Sequence, residues 1–310
     1  MTSIEVHQLT KDYGSTRAVD RLTFCAEPGR VTGFLGPNGA GKSTTMRLIL
    51  GLDRPSLGTA TVAGRPYATL DKPLCVVGSL LDAGAAHGSR TARDHLLALA
   101  VSNGISPRRI ATALEEAGLA AVAARRIKTF SSGMRQRLGI AAALLGDPTA
   151  VMLDEPSNGL DPEGIIWLRE LLKRLAREGR TVLVSSHVLS ELSACADHLI
   201  ILGGGRLLAD TKTDEFLASR SRPRVHLRTT EWERLRAVLV RRGYDTTESG
   251  GGGCWIEGAR AGEVGALAAA EHIPLLELSE ERITLEEAYL ALTADTAEFA
   301  TAVPNARQEA

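Results

Sequence analysis

The chain has 310 residues, of which 44% are hydrophobic, and this length allows about two domains with a sizeable core. Its 36 Lys and Arg residues nearly balance its 37 Asp and Glu residues, so no strong overall charge recruits nucleic acid or an anionic membrane surface. The four cysteines are far apart and form no CxxC pair, which argues against a disulfide framework and against a zinc site.

Short apolar runs alternate with amphipathic stretches over residues 1–220. Four of these runs are rich in Val, Ile and Leu and predict strands of a mainly parallel sheet buried on both faces: Val31–Leu35, Ala150–Leu153, Thr181–Ser185 and Leu199–Leu202. Ser106-Pro107 and Asp161-Pro162 predict helix starts, with the polar residue as N-cap and Pro in the first turn. Residues 90–146 contain no convincing strand and are expected to form a helical subdomain. The predicted fold class is therefore α/β.

After residue 220 the pattern changes. Residues 221–223, Ser-Arg-Pro, are typical of a linker, and the segments that follow predict the order strand, helix, strand, strand, helix, strand. That order suggests a small α+β accessory domain of ferredoxin-like type over residues 221–295, with Gly250–Gly253 as a hairpin loop. A last amphipathic helix is expected at Leu285–Leu292, and residues 296–310 are expected to be a flexible tail.

The segment Gly36–Thr44 matches the pattern GxxxxGK[ST] directly after the first apolar run. Its glycines let backbone N–H groups turn toward the phosphates of a nucleotide, and the helix that follows adds its positive N-terminal dipole. Lys42 supplies a charge for the β- and γ-phosphates, and the Ser43 hydroxyl is suited to Mg²⁺. We expect the whole loop to bind the nucleotide: Gly36, Pro37, Asn38, Gly39, Ala40, Gly41, Lys42, Ser43 and Thr44.

Two adjacent carboxylates follow the predicted strand Ala150–Leu153. In a parallel sheet the carboxyl ends of the strands form the active crevice. Asp154 is suited to bind Mg²⁺ through its water shell, and Glu155 can orient a water in line with the γ-phosphate. A strand that merely reaches solvent also ends in acidic residues, but the phosphate loop favours the catalytic interpretation.

A third segment, Phe130–Arg137, places Ser and Gly at the start of a predicted helix. Free N–H groups and a hydroxyl at a helix start form a second anion site. One nucleotide does not need two such sites from one chain. With these three segments, residues 1 to about 220 resemble the nucleotide-binding subunit of ABC transporters, which implies a P-loop NTPase fold.

The resemblance implies a composite site. Ser131, Ser132, Gly133 and Met134 correspond to the family's LSGGQ signature, although Ser132 stands where the family has Gly and Met134 where it has Gln. In that family the signature of one subunit closes over the ATP held by the phosphate loop of its partner. The resemblance therefore implies an ATPase with ATP and Mg²⁺ as cofactors and with Glu155, His187 and Lys42 as catalytic residues.

Further positions follow in the family's order. Tyr13 stands where the family places an aromatic ring that stacks on adenine, although a Tyr there could also be a packing residue. Asp161 stands in the segment that resembles the D-loop of the dimer interface, and a helix-cap role for it is equally compatible. His187 resembles the switch histidine that contacts the γ-phosphate, although a histidine at a strand end is commonly a surface residue.

Asp82 departs from the family pattern. It stands where the family commonly has a Gln that touches Mg²⁺ and responds to the membrane partner, and an acid there resembles the bacitracin-exporter branch. A carboxylate could ligand the metal, but it would also repel the γ-phosphate and Glu155. We expect Asp82 to tune coupling more than hydrolysis.

The partners follow from the same resemblance. The sequence contains no signal peptide and no stretch of about 18 apolar residues, so separate ABC-2 type permease subunits are expected to form the membrane path. The segment Ile283–Leu292 resembles the end of ATPases that serve such permeases. The expected protein is a cytoplasmic ATPase at the inner face of the membrane that drives drug or antibiotic export, as a homodimer or as a heterodimer with a paralogue, without nucleic acid as a partner. The alternatives are a soluble ABC-type ATPase that acts on ribosomes or nucleic acid, and a module that senses ATP without hydrolysis.

Overall fold

The computed structural model describes residues 2–220, 224–249, 253–281, 284–289 and 292. The chain divides into two compact units, the first ending at Thr213 and the second beginning at Asp214. This division lies at the start of a helix, Thr213–Arg220, whereas the sequence places the boundary after residue 220. The linker-like residues 221–223 and the predicted tail, residues 296–310, lie outside the described residues.

The first unit alternates strands and helices. Its strands are β1 (Ile4–Tyr13), β2 (Thr16–Ala26), β3 (Val31–Leu35), β4 (Leu57–Val62), β5 (Val77–Leu80), β6 (Ala150–Leu153), β7 (Thr181–Ser186), β8 (His198–Gly203) and β9 (Arg206–Lys212). Its helices are α1 (Lys42–Ile49), α2 (Pro73–Val76), α3 (Ala92–Ser102), α4 (Arg108–Glu116), α5 (Ser132–Leu144), α6 (Pro162–Arg177) and α7 (Leu189–Ser193), and α8 (Thr213–Arg220) follows.

A six-stranded sheet forms the centre of this unit, in the order β5-β6-β7-β3-β8-β9. Its pairs are parallel except for β8 and β9, which are antiparallel. Every residue of β3, β6 and β7 is buried, which explains why these strands are continuous apolar runs in the sequence. Leu35 pairs with Ser186 and Leu153 pairs with Val184, so the carboxyl ends of the three strands meet at one edge.

A second sheet, in the order β2-β1-β4, is antiparallel and covers the central sheet. Buried side chains of β1 and β2 share one core with β3 and α1, where the rings of Phe24 and Phe34 lie 5.4 Å apart. This sheet is not predicted from the sequence, because register shifts interrupt the alternation of buried and exposed residues in β1 and the first half of β4 is exposed.

Helices α3, α4 and α5 pack around their own core, which includes Leu96, Ile110 and Leu138. These three helices lie within residues 90–146, for which the sequence predicts a helical subdomain. The predicted cap at Ser106 is wrong by one residue, because α4 begins at Arg108 with Pro107 at the N-cap position and no side-chain cap. Pro107 already has helical backbone angles, and Ser106 accepts a hydrogen bond from Arg109 through its carbonyl oxygen.

The second unit contains β10 (Arg224–Thr229), α9 (Trp232–Arg241), β11 (Asp245–Ser249), β12 (Gly253–Glu257), α10 (Ala261–Ala270) and β13 (Leu275–Glu281). This order of elements agrees with the predicted one. The four strands form an antiparallel sheet in the order β11-β12-β10-β13, and residues 285–289 are helical. Of the predicted hairpin loop, only Gly253 lies within the described residues. None of the helices in the described part of the chain is both long and apolar enough to cross a bilayer.

Gly78 in β5 lies directly against the backbone of α5. A Cβ atom added to Gly78 would lie 1.9 Å from the backbone oxygen of Ala143. We therefore expect Gly78→Ala to lower the free energy of unfolding of the first unit by about 1–3 kcal/mol, since backbone atoms would have to move. Ser79→Ala, on the same strand, adds no atom and should stay within about 0.5 kcal/mol of the wild type. Thermal or urea unfolding measures both changes, and an unaltered Gly78→Ala variant would contradict this packing.

Candidate functional site

The loop between β3 and α1 has the backbone of an anion cradle. Gly41 is the N-cap of α1 with φ 98°, and no side chain caps the helix. A Cβ atom at Gly41 would lie 2.6 Å from the backbone oxygen of Ala18, so both the conformation and the space require glycine there. The uncapped N–H groups at the start of α1 can therefore donate to an anion.

Lys42 is buried below this loop, with 6% of its side chain exposed. Its Nζ donates to the carbonyl oxygen of Gly36 at 2.6 Å and lies 3.4 Å from Oε1 of Glu155. A buried ammonium group needs such partners. Phosphate oxygens that enter the loop could take their place.

Asp154 and Glu155 follow β6 and are held by the end of β7. Oγ of Ser185 donates to Oδ1 of Asp154 and accepts from the backbone N–H of Glu155 at 2.8 Å. One hydroxyl therefore sets the direction of the Asp154 carboxylate and the backbone of the next residue.

The carboxylate of Glu155 brings together the three residues expected to be catalytic. Its Oε1 faces Lys42, and its Oε2 lies 2.7 Å from Nδ1 of His187. Glu155 has φ 47°, a left-handed conformation that costs about 1–3 kcal/mol for a residue other than glycine. Besides Ser185, the buried Gln136 of α5 holds this backbone, since its Nε2 donates to the carbonyl oxygen of Glu155 at 3.3 Å.

Tyr13 lies at the end of β1 with 47% of its surface exposed. Its hydroxyl donates to Oδ2 of Asp53 at 3.0 Å, and Nε of Arg47 in α1 donates to the same oxygen at 2.7 Å. Partial burial, followed by the Asp53 carboxylate, raises the pKa of Tyr13. The ring is thus connected to the helix that follows the phosphate loop, and Lys11 lies over it with Nζ 4.8 Å from the ring centre.

The serine-led turn forms the start of α5. Ser131 is the N-cap, and its Oγ accepts from the backbone N–H of Met134 at 3.2 Å. The hydroxyl of Ser132 donates to the carbonyl oxygen of Gly159 at 3.3 Å. A Cβ atom at Gly133 would lie 2.9 Å from that same oxygen. The start of α5 therefore packs tightly against residues 157–161 of its own chain.

Two other predicted residues make local contacts. Asp161 caps α6 and accepts from the backbone N–H of Gly164 at 2.9 Å, so its helix-cap role is observed. Asp82 is exposed and accepts from the backbone N–H of Gly84 at 2.6 Å. Within the described residues, no group of three His, Cys, Asp or Glu side chains could hold a metal ion by itself.

The roles of Ser185, Gln136 and Asp53 were not predicted from the sequence. Each of these residues lies far along the chain from the residue that it positions, and neither a serine at a strand end nor a glutamine inside a helix is a distinctive pattern. The pairing of β6 with β7 places Ser185 at the site, and the packing of α5 places Gln136 there. Asp53 is placed by its hydrogen bonds from Tyr13 and Arg47.

The contact that holds Tyr13 predicts a pH effect. The hydrogen bond from Arg47 is the largest cause that lowers the pKa of Asp53. The contact between Asp53 and Arg47 therefore stabilises the fold fully when the pH is above the pKa of Asp53 in the unfolded chain, about 3.9. This stabilisation is lost as the pH falls through the lower pKa of Asp53 in the folded protein. Asp53→Asn should lower the melting temperature by about 2 °C at pH 7, and the difference should vanish at low pH.

Asp71→Asn is the matched control, because the Asp71 side chain is 93% exposed and its ion pair with Arg65 spans 3.8 Å. Melting curves between pH 7 and pH 3 measure both variants. A deficit of Asp53→Asn that is constant over this range, or equal to that of Asp71→Asn, would contradict the assignment.

Comparison with known proteins identifies the family. Residues 19–158 match the family model described as ABC transporter, and residues 223–286 match a model described as a domain of unknown function (DUF8746). The bacitracin transport ATP-binding protein BcrA of Bacillus licheniformis is 39% identical over 79% of this chain and 80% of that protein. The lantibiotic transport ATP-binding protein SrtF of Streptococcus pyogenes is 35% identical over 68% of this chain and 91% of that protein.

Solved structures of ABC transporter subunits are also similar to this chain. A structure described as an ATP-binding subunit of an ABC transporter is 29% identical, covers 70% of this chain and 92% of that chain, and has a TM-score of 0.64. A bacterial ABC transporter cassette solved as a dimer is 25% identical, covers 68% of this chain and 98% of that chain, and has a TM-score of 0.62. The resemblance drawn from the motifs, including that to the bacitracin-type branch, is confirmed: the chain belongs to the ABC transporter family and is an ATP-binding and ATP-hydrolysing subunit.

Proposed function

We propose that this subunit binds ATP in the loop Gly36–Thr44 and hydrolyses it with Glu155 as the base, to drive the export of a drug-like or antibiotic-like compound. The observation that carries the proposal is the placement of one carboxylate between Lys42 and His187. In-line attack on a γ-phosphate needs a group that orients water next to groups that stabilise negative charge. These three side chains supply both.

Each residue has a distinct role in the proposed reaction. Lys42 exchanges its contacts with Gly36 and Glu155 for the β- and γ-phosphates of ATP. Glu155, released from Lys42, accepts a hydrogen bond from the attacking water and takes its proton. His187 donates a hydrogen bond to the γ-phosphate and holds it while charge develops.

Tyr13, Ser43 and Asp154 are proposed to contact the adenine ring and the metal ion. The exposed ring of Tyr13 stacks on adenine, with Asp53 fixing its hydroxyl. Ser43 and Asp154 would hold Mg²⁺, since an exposed hydroxyl and a carboxylate that is engaged by Ser185 through one oxygen are ligands of the kind that Mg²⁺ prefers. The bound ion would neutralise charge on the phosphates. Asp82, which is also exposed, lies in the segment after β5 and is proposed to tune the response to the membrane partner.

ABC ATPases dimerise and pair with membrane permeases. We propose that two copies of this chain, or one copy and a paralogue, pair head to tail. Ser131, Ser132, Gly133 and Met134 of one subunit then close over the ATP of the other. The uncapped start of α1 and the serine-led start of α5 support this arrangement, because they are two separate helix starts of the kind that binds anions.

The permease is proposed to be of the ABC-2 type and to be encoded separately, which places the subunit in the cytoplasm at the inner face of the membrane. BcrA and SrtF are described as bacitracin and lantibiotic transport ATP-binding proteins, and these descriptions support a peptide-antibiotic substrate over an action on ribosomes or nucleic acid. The second unit is proposed to be of ferredoxin-like type, because its antiparallel sheet and its two helices follow the order strand, helix, strand, strand, helix, strand.

Glu155→Gln tests the proposed base. The amide cannot accept the proton, so the ATPase rate should fall by at least about 100-fold while ATP binding persists. ATP should then accumulate in a stable dimer, measured by size-exclusion chromatography with light scattering. Lys42→Ala should instead lose ATP binding. Glu170→Gln, on the exposed face of α6, is the control that should leave both properties unchanged. A fully active Glu155→Gln enzyme would remove Glu155 from this role.

Asp82→Gln tests the proposed coupling role. The amide removes the repulsion that a carboxylate exerts on the γ-phosphate and restores the residue that is common in the family. We expect the basal ATPase rate of the purified subunit to change by less than about twofold, and the rate in the assembled transporter with its permease to change by about fivefold or more. Equal rates for variant and wild type in both preparations would show that Asp82 has no part in coupling.

A further inference from the structure

Glu191, in α7, connects the two loops that flank the candidate site. Its Oε2 accepts a hydrogen bond from the hydroxyl of Ser157 and a second one, at 3.2 Å, from the hydroxyl of Ser186. Ser157 lies two residues after Glu155, and Ser186 directly precedes His187. One carboxylate oxygen therefore joins the segment that follows β6 to the segment that follows β7.

Ser186 controls the backbone around His187. Its Oγ also accepts from the backbone N–H of Val188 at 2.9 Å, so the hydroxyl holds the chain on both sides of the histidine. The His187 side chain is 43% exposed, and its ring contacts Glu155 at Nδ1. An exposed ring has little packing to orient it, and its direction therefore depends on the backbone that Ser186 fixes.

The serines that donate to Glu191 are buried, so the two loops depend on the Glu191 carboxylate for their arrangement. Ser157 and Ser186 are 9% and 2% exposed, and with Glu191 and Cys195 they line a cavity of about 20 Å³, room for about one water molecule. Burial raises the pKa of the Cys195 thiol, which lines the same cavity, to about 11. Without Glu191 the Ser157 hydroxyl would lose its acceptor, and the Ser186 hydroxyl would keep only its contacts with the backbone of Val188, at 3.2 Å to the carbonyl oxygen and 2.9 Å to the N–H. The link between the two loops would be lost, and the loops would be free to rearrange.

The same segment reaches the start of α5. Ser157 is followed by Gly159, whose carbonyl oxygen accepts from the hydroxyl of Ser132. A chain of contacts therefore runs from Ser132 through residues 157–159 and Glu191 to His187. Ser132 stands at a position where the family has Gly, so its hydroxyl contact is a property of this chain.

We propose that Glu191 is a positioning residue that holds His187 against Glu155 and ties this pair to residues 157–161. The inference rests on the proposed function, since it assigns Glu191 an effect that is exerted through His187. Glu191 supplies no proton and touches no phosphate. Its effect is expected on the rate of the chemical step, and the affinity for ATP should be unaffected.

Steady-state ATPase kinetics of the full-length chain test the proposal. Glu191→Ala removes the acceptor of both hydroxyls and should lower kcat by about 10- to 100-fold, since a displaced catalytic group costs that much, while KM for ATP stays within about twofold. Glu191→Gln keeps an oxygen that can accept from both serines and should restore kcat to within about fivefold of the wild type. Glu170→Ala, which removes an exposed carboxylate from α6, should leave both constants unchanged.

A double-mutant cycle with His187→Ala separates positioning from a general loss of structure. If Glu191 acts through His187, Glu191→Ala should cause no further loss of kcat in the His187→Ala background. Losses that multiply, or a Glu191→Ala enzyme within twofold of the wild-type kcat, would overturn the proposal. If Glu191→Ala fails to fold, Ser186→Ala carries the same cycle, with a kcat loss of at least about threefold expected. A His187→Ala enzyme with wild-type kcat would instead contradict the proposed function itself.

Discussion

The arrangement of the site depends on one carboxylate, that of Glu155, which lies between the ammonium group of Lys42 and the ring of His187. Glu155 and His187 follow the ends of β6 and β7, and Lys42 begins α1 after the loop that follows β3. They meet because β3, β6 and β7 are parallel neighbours. The left-handed backbone of Glu155 is unfavourable in isolation and is held by hydrogen bonds from Ser185 and Gln136. These two hydrogen bonds, one to β7 and one from α5, offset the conformational cost of the backbone that directs this side chain.

Much of this site could be predicted from local pattern. The phosphate loop, the acidic pair and the serine-led turn each occupy a short continuous segment, and the buried parallel strands are apolar runs that stand out in the sequence. The glycines of the phosphate loop could also be predicted, since Gly41 must adopt a positive φ beside the backbone of Ala18, which only glycine allows. At these positions the residue types that the chemistry needs are the same ones that the local backbone conformation needs.

The parts of the site and of the fold that were not predicted depend on contacts between segments that are distant in the sequence. Ser185, Gln136 and Glu191 acquire their roles only when β6, β7, α5 and α7 come together. No local pattern marks Ser185 or Glu191, and Gln136 lies in the segment Phe130–Arg137 without any sign that it holds the backbone of Glu155. The antiparallel sheet β2-β1-β4 was not predicted, because register shifts interrupt the alternation in β1 and the first half of β4 is exposed. Ser132 was recognised as a departure from the family signature, but only the structure shows that its hydroxyl contacts Gly159.

The most direct test of the composite site is a crystal structure of the Glu155→Gln variant with ATP and Mg²⁺. Our account predicts a head-to-tail dimer in which Nζ of Lys42 has left Gly36 for the β- and γ-phosphates. It also predicts that the Ser131 hydroxyl of one subunit lies within hydrogen-bond distance of the γ-phosphate bound to the other. A structure with bound ATP in which Ser131 faces no nucleotide and Lys42 still contacts Gly36 would contradict it.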